Sequence, residues 1–254
     1  MKIFYSFCKK EALESLRTYR LVIMLAAFVL FGIMSPLLAK MTPDLVNSSL
    51  GNGMTFQMPE PTAMDAWGQF FKNIGQMGIL VLAIVFCGIT ATELSKGTLV
   101  NILTKGMRRS TVILSKLTVS AMIWTVSYCL SLAVNYVYII YFWGNAQVSN
   151  AFLALVSPWA FGLLLITLMI LGGICFKNIL GSLLFAAGAI VIMSLLNIVP
   201  ITQKYNPISL SGGPVNLLSG QSVPGDIVPA LAVCLAVILI CTSASILIFN
   251  RKQI

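Results

Sequence analysis

The residues best suited to polar chemistry lie in one short stretch, Glu93 to Lys116, between two long apolar segments. The stretch holds five Lys or Arg residues and a single Glu, in a chain of 254 residues of which only 9% are charged. These residue types support ion pairing, and Glu93 can pair with a basic group on the N-terminal segment or on a partner protein. Short basic loops remain in the cytoplasm while apolar segments insert around them, so this stretch fixes the orientation of the other loops.

An aliphatic series lies within the same stretch. Gly97 and Thr98 precede it, and Gly106 interrupts it before a basic turn. Its members, which can form a short helix beside the membrane, are Leu99, Val100, Ile102 and Leu103. The pattern predicts a surface on which a partner protein docks.

The order of these residues resembles the cytoplasmic loop of type-2 ATP-binding-cassette (ABC) exporter permeases. The matching positions, in chain order, are Glu93, Gly97-Thr98, Leu103-Thr104, the basic turn Arg108-Arg109, and Lys116. Many members have a proline in the turn where this chain reads Lys105-Gly106-Met107, a difference that suits the smaller bacterial peptide-export and immunity-type members. The resemblance covers the whole chain, because it includes a basic N-terminal helix, six spans and a long last outer loop.

The resemblance implies that the loop of residues 93–116 docks on a separate cytoplasmic ATPase subunit. That subunit would bind ATP and Mg²⁺, while this chain would bind no cofactor or metal and would not be an enzyme by itself. The coupling residues that it implies are Glu93, Gly97, Thr98, Leu99, Leu103, Arg108 and Arg109. It also implies a pair of permeases, formed with a second copy or a homologous permease, in the cytoplasmic membrane of a bacterium.

The composition places the chain among membrane proteins, since 58% of the residues are hydrophobic and the mean hydropathy is +0.95. A membrane-spanning helix needs about 20 predominantly apolar residues. Six segments qualify, at residues 21–39, 74–92, 117–143, 151–175, 179–199 and 228–249. We therefore predict an all-α polytopic membrane protein with six transmembrane helices, forming a single permease domain over residues 1–254.

The distribution of basic residues predicts the orientation. With both termini inside, thirteen of the sixteen Lys and Arg residues lie on the cytoplasmic side, and Lys40, Lys72 and Lys204 lie outside. The net charge of +9 is thus explained by topology and by contact with anionic membrane lipids. It gives no support for binding to nucleic acid.

Residues 2–20 are predicted to form an amphipathic helix on the inner membrane surface. Its apolar stripe consists of Phe4, Cys8, Ala12, Leu16 and Tyr19, and the charged residues roughly opposite are Lys10, Glu14 and Arg17. An alternative is a juxtamembrane segment whose charges only set orientation. The resemblance favours the helix, because these permeases begin with an amphipathic helix that turns sharply into the first span.

Two long segments are predicted as outer loops, at residues 40–73 and 200–227. In the first, a short helix at the membrane interface is suggested by Met64, Trp67, Phe70 and Phe71, with Trp67 as its anchor. The alternative role for this helix is contact with a substrate. In the second, the resemblance implies short re-entrant helices that act as an outer gate. Backbone at that depth must be buried in protein or line water, so the segment is expected to cap a central interface.

The third span has the most polar face of the six. Ser127, Ser131, Asn135 and Tyr138 recur at helical spacing and should point away from lipid. The face is either the lining of a partly hydrated cavity or a set of hydrogen bonds between helices. The sequence leaves both interpretations open.

Several classes of function lack the residues they need. The chain contains no His and no GxxxxGK[ST] phosphate-binding loop. An intramembrane enzyme or a secondary transporter would need acidic or basic groups at membrane depth, and the seven acids are predicted to lie in loops or in the N-terminal helix. We therefore expect an exporter subunit for an amphipathic substrate, preferably a membrane-active peptide, with a lipid or drug exporter or a passive scaffold or channel as alternatives.

The predicted orientation can be tested by cysteine labelling. Single cysteines placed at Asn52 and Ser219, in a background without native cysteines, should react in intact cells with a thiol reagent that cannot cross the membrane. A cysteine at Thr104 should be protected, because basic residues surround it. Labelling of Thr104 from outside would overturn both the orientation and the docking loop.

Overall fold

The computed structural model describes residues 2–49, 59–97, 107–144 and 150–251. All regular secondary structure within these ranges is helical. Six helical segments in them are long and apolar enough to cross a membrane, at Arg20–Val46, Ala63–Ser95, Arg109–Trp143, Ala151–Phe176, Ile179–Leu196 and Pro224–Arg251. The predicted all-α fold with six spans is confirmed.

The helices are numbered here in chain order. The first six are α1 (Lys2–Arg17), α2 (Arg20–Ser49), α3 (Ala63–Asn73), α4 (Ile79–Phe86), α5 (Ala91–Ser95) and α6 (Arg109–Trp143). They are followed by α7 (Ala151–Phe176), α8 (Ile179–Leu196), α9 (Pro200–Gln203), α10 (Ser209–Gly212), α11 (Pro214–Leu218) and α12 (Pro224–Arg251). A π-helical turn, Ile74–Gly78, joins α3 to α4.

The helix of the first span extends beyond its predicted end. The sequence placed that end at residue 39 and assigned residues 40–73 to a loop, whereas α2 continues to Ser49. Pro36 and Pro43 lie inside the helix. A proline removes one backbone hydrogen bond, which membrane helices tolerate, so neither residue ends α2. The hydropathy pattern located the end of the apolar run, just before Lys40, but the helix itself continues beyond that point.

The second span begins earlier than predicted and is interrupted. A capping box starts α3: the backbone N–H of Thr62 donates to Asp65 Oδ2 at 2.8 Å, and the N–H of Asp65 donates to Thr62 Oγ1 at 3.4 Å. The π-helical turn continues α3 into α4, and a turn at residues 87–90 separates α4 from α5. The short helix predicted around Trp67 therefore exists as the first part of the span.

The predicted role of that helix at the membrane interface was wrong. Trp67, Phe70 and Phe71 are 4%, 0% and 2% exposed, and their rings contact one another. Because these side chains are enclosed by protein, they cannot serve as lipid anchors. The aromatic cluster instead forms part of the core between α2 and the short helices of residues 200–227.

The central helix of the bundle is α7. Its apolar window is 78% buried, compared with 11% for α8 and for α12, and it packs against α6, α8 and α12. Gly162 makes the contact with α6 close, because a Cβ at this position would overlap the ring of Trp124. The indole N–H of Trp124 donates to the carbonyl oxygen of Trp159 at 3.0 Å, which fixes the ring between the two helices.

Residues 200–227 cover one end of the bundle. They contain the short helices α9, α10 and α11, and Leu210, Leu217 and Leu218 are buried. α10 and α11 pack against α7 and α3. A Cβ at Gly75 would lie 3.2 Å from the carbonyl oxygen of Ser211, so α10 also lies close to the π-helical turn.

Candidate functional site: a buried ion-pair network

At the opposite end of the bundle, a lysine is buried between two carboxylates. The Nζ atom of Lys116 lies 3.0 Å and 3.1 Å from the two carboxylate oxygens of Glu11, and 2.8 Å from Oε2 of Glu93. The side chains of Lys116 and Glu11 are 1% and 2% exposed. Three separate helices, α1, α5 and α6, therefore meet at a single ammonium group.

A second lysine extends this network towards solvent. The Nζ atom of Lys10 lies 2.8 Å from Oε1 of Glu93, 2.8 Å from Oε2 of Glu14 and 3.1 Å from Oε1 of Glu11. Its side chain is 39% exposed. We call the five residues Lys10, Glu11, Glu14, Glu93 and Lys116 the ion-pair network.

The two lysines contribute differently to stability. Removing one partner of a buried ion pair costs about 3–5 kcal/mol, because the other charge remains without compensation. An exposed pair four residues apart on a helix, such as Lys10 with Glu14, contributes about 0.3–0.5 kcal/mol. Lys116 and its two carboxylates thus dominate the energetics of the network.

The ion pairs of Lys10 stabilise its protonated form. Burial lowers the pKa of Lys10, but the carboxylates of Glu14, Glu93 and Glu11 outweigh that effect, so its pKa lies above the ordinary value. A raised pKa means that the ion pairs of Lys10 stabilise the fold fully below the pKa of the unfolded chain. This stabilisation is lost only as the pH rises through the higher folded value. Lys10 remains protonated throughout the neutral range.

The N-terminal helix buries a face that the sequence analysis missed, and Glu11 lies on it. Phe7, Glu11 and Ser15 recur every four residues and are 5%, 2% and 2% exposed. The apolar stripe that begins at Phe4 lies on another side, where Leu16 is 47% exposed. The helix ends at Arg17, and the left-handed backbone of Tyr19, with φ of 59°, turns the chain into α2.

The two faces of α1 make different contacts. The exposed apolar stripe is available to a membrane surface, while the buried face binds the rest of the protein. The four-residue recurrence of Phe7, Glu11 and Ser15 was the signal that could have identified Glu11. Since Lys10 and Glu11 form ion pairs, the charges of this helix do more than set orientation.

Glu93 is buried in a helix, whereas the sequence placed it at the edge of a loop. It lies in the five-residue helix α5 and is 8% exposed. α5 approaches the central helix closely, because a Cβ at Gly173 would lie 3.2 Å from the backbone nitrogen of Ala91. The turn at residues 87–90 redirects the chain so that α5 can make this contact.

Lys116 lies inside the helix of the third span, whereas the predicted span of residues 117–143 began just after it. α6 begins at Arg109, so the lysine lies seven residues, or about two turns, inside it. Arg109, which was assigned to the coupling surface, donates to the carbonyl oxygens of Phe249 and Asn250 at 2.6 Å and 3.0 Å. It thereby caps the carboxyl end of α12, where a cation is favourable.

The remaining residues of the predicted coupling set are only partly described. Gly97 follows the carboxyl end of α5 and has a left-handed φ of 65°, the backbone conformation for which glycine is preferred. Arg108 is exposed at the start of α6. Thr98, Leu99 and Leu103 lie outside the described residues. Arg17 of the predicted interfacial set is exposed on α1.

The polar face of α6 is enclosed between helices. Ser127, Ser131 and Asn135 are each 0% exposed, and Tyr138 is half-buried. Among the described residues, the hydroxyls of both serines and both amide atoms of Asn135 have no hydrogen-bond partner. The helix α2 packs here through Gly32, where a Cβ would lie 2.7 Å from the carbonyl oxygen of Ser131. At Ser131 and Asn135 the described residues therefore form neither an open cavity nor the hydrogen bonds between helices that were the alternative, while Ser127 borders a groove between α1, α2 and α6.

The network includes three carboxylates that could together hold a cation. Oxygens of Glu11, Glu14 and Glu93 lie within 4.8 Å of one another, a group found among the described residues. Each carboxylate already lies within ion-pair distance of an ammonium group. The positive charges of the two lysines occupy the position that a metal ion would need, so the chemistry favours ion pairing.

Comparison with known proteins supports assignment to the membrane class. No family model matches the chain. The chain is similar to the uncharacterized transmembrane protein YxlG of Bacillus subtilis (strain 168), with 21% identity over 183 residues, which cover 70% of each protein. The six apolar helices and this transmembrane relative identify a multi-pass membrane protein.

Replacing Lys116 with Met tests the energetics of the network. The variant should lower the unfolding midpoint in detergent, because Glu11 and Glu93 lose the ammonium group that they share. Lys177→Met, which removes an exposed lysine, should have little effect. The double variant Glu11→Gln, Lys116→Met should recover part of the loss, because one of the uncompensated charges is removed. Equal unfolding midpoints for all these proteins would contradict the assigned role of Lys116.

Proposed function

We propose that the chain is the membrane-spanning permease subunit of an ATP-driven ABC exporter in a bacterial plasma membrane. The observation that carries the proposal is the ion-pair network, which links α1 to both ends of the polar stretch that resembles an ATPase-docking loop. Glu93 is the first residue of that stretch and Lys116 is the last. A docking loop that transmits movement needs such fixed points at its two ends.

The proposed transport mechanism depends on the ion pairs that connect these helices. Because α1, α5 and the start of α6 share buried ion pairs, displacing the loop would move all three as one body. ATP binding would close a partner ATPase dimer and displace the docked loop. The movement would then switch a pair of permeases from inward to outward access.

The energy source must be supplied by another subunit. The sequence contains no GxxxxGK[ST] phosphate-binding loop, so ATP and Mg²⁺ would be bound by the cytoplasmic ATPase. In this arrangement the permease contributes positioning and the transport path. Its second copy, or a homologous permease, completes that path.

The resemblance to peptide-export and immunity permeases supports a membrane-active or toxin peptide as cargo. Such an exporter would confer resistance to an antimicrobial peptide. A lipid or drug exporter of the same family is the alternative cargo class, and a scaffold or channel independent of ATP is the alternative mechanism. A groove lined mainly by apolar residues of α8 and α12, such as Ile192, Leu196 and Val237, suits an amphipathic substrate better than a sugar.

The first test concerns the partner. A tagged chain purified from its native membranes in mild detergent should retain a soluble ATPase that carries a phosphate-binding loop, in equal copies, as identified by mass spectrometry. The purified complex should hydrolyse ATP, and the chain expressed alone should not. ATP hydrolysis by this chain alone would end the proposal.

The second test separates transmission from assembly. Glu93→Ala leaves two carboxylates and two ammonium groups in the network, so the protein should still insert and bind its ATPase. It breaks the link between α5 and the other two helices, so ATP-dependent uptake of a labelled membrane-active peptide into inside-out vesicles should fall several-fold. Glu60→Ala, which removes an exposed acid far from the network, is the matched control.

The outcomes of this test are distinct. Transport at the Glu60→Ala level by a normally assembled Glu93→Ala protein would show that the network does not transmit movement. Loss of the ATPase from the complex would show that Glu93 serves assembly instead.

A further inference from the structure

An apolar groove lies between the N-terminal helix and the first and third spans. Its volume is about 440 Å³, within the range of about 300–1,000 Å³ that is usual for small-molecule sites. One wall is the exposed stripe of α1 that includes Ala12 and Leu16, and α2 contributes Leu21 and Leu25. The opposite wall is α6, from Thr118 to Ser127.

A single cation lies at this groove. Lys9 is the one charged side chain among the described residues that line it, and Lys9 is exposed. The nearest acids in sequence, Glu11 and Glu14, are held by Lys10 and Lys116. The charge of Lys9 is therefore available to an anionic group outside the protein.

The length of the groove matches half of a bilayer. From Thr118 to Ser127 the helix α6 rises about 13.5 Å, at about 1.5 Å per residue. One leaflet of the hydrocarbon core is about 15 Å thick. The groove starts beside the ion-pair network, since Thr118 lies two residues beyond Lys116, and it continues towards the middle of the third span. An acyl chain that enters beside the charged end would extend along its whole length.

We infer that this groove binds one anionic phospholipid of the inner leaflet, with an acyl chain between α1, α2 and α6 and the phosphate near Lys9. The basic N-terminal helix lies at the end of the bundle that the distribution of charges assigns to the cytoplasm. The cytoplasmic leaflet carries the anionic lipids that such segments attract. The inference is independent of the exporter proposal, because the binding needs no ATPase.

Native mass spectrometry of the purified chain tests the site. With added phosphatidylglycerol, the wild-type chain should retain one lipid, and it should bind phosphatidylcholine more weakly. Lys9→Gln should reduce the affinity for phosphatidylglycerol about five-fold, which corresponds to the contribution of one basic residue near an anionic surface. Arg17→Gln, which removes another exposed cation of the same helix outside the groove, should leave the affinity unchanged.

A variant that fills the groove provides a second test of the lipid site. Ala12→Trp places a large side chain in the groove and should abolish retention of the lipid, whereas Ala26→Trp, on an exposed part of α2 away from the groove, should not. Retention of lipid by Ala12→Trp would overturn the site. So would an equal loss of affinity in Lys9→Gln and Arg17→Gln, because it would show diffuse attraction to the basic helix. Loss of a chain dimer in Ala12→Trp without loss of lipid would assign the groove to a second copy and overturn the lipid assignment.

The wild-type protein gives a test that does not depend on variants folding. Phosphatidylglycerol with a photoreactive group in the middle of its acyl chain should crosslink to Leu25, Met122 or Val126, as mapped by peptide mass spectrometry. Crosslinks restricted to the exposed faces of α8 and α12 would reject the groove as the binding site.

Discussion

The buried ammonium of Lys116 is the constraint on which the rest of the structure depends. A charge that is 1% exposed costs several kcal/mol unless opposite charges meet it, and no residue of α6 supplies one. Glu11 and Glu93 supply them from α1 and α5. The positions of three helices are thus mutually dependent, because displacing any one of them would separate oppositely charged groups that meet in the protein interior.

The surrounding packing makes this meeting of helices possible. α5 reaches the network because the second span turns at residues 87–90 and because Gly173 of α7 leaves room for the backbone of Ala91. α6 is fixed at its start, where Arg109 caps α12. The polar stretch between α5 and α6 therefore joins two anchored helices, and both are tied to the N-terminal helix through the ion-pair network.

In the part of the chain that the structure describes, some polar side chains in the middle of the bundle are buried without the partners that the charged residues have. Ser131 and Asn135 are enclosed between α6 and neighbouring helices, and among the described residues their side-chain atoms have no hydrogen-bond partners. Such groups are costly in an apolar environment, although less costly than an unpaired charge. The protein thus compensates its buried charges fully at one end, while neutral polar groups near the centre of the third span remain uncompensated. Close packing of α2 through Gly32 maintains this arrangement.

The amino-acid sequence by itself determined the helical class, the six spans and the amphipathic N-terminal helix, because hydropathy and helical periodicity are properties of contiguous residues. It also singled out Glu93 as an acid able to pair with the N-terminal helix. Only the tertiary structure decided which residues pair, since Lys10 is 83 positions from Glu93 and Glu11 is 105 positions from Lys116. Packing likewise buried Trp67, which composition had assigned to the membrane interface, because the hydrophobicity of an aromatic side chain does not specify whether lipid or protein will cover it.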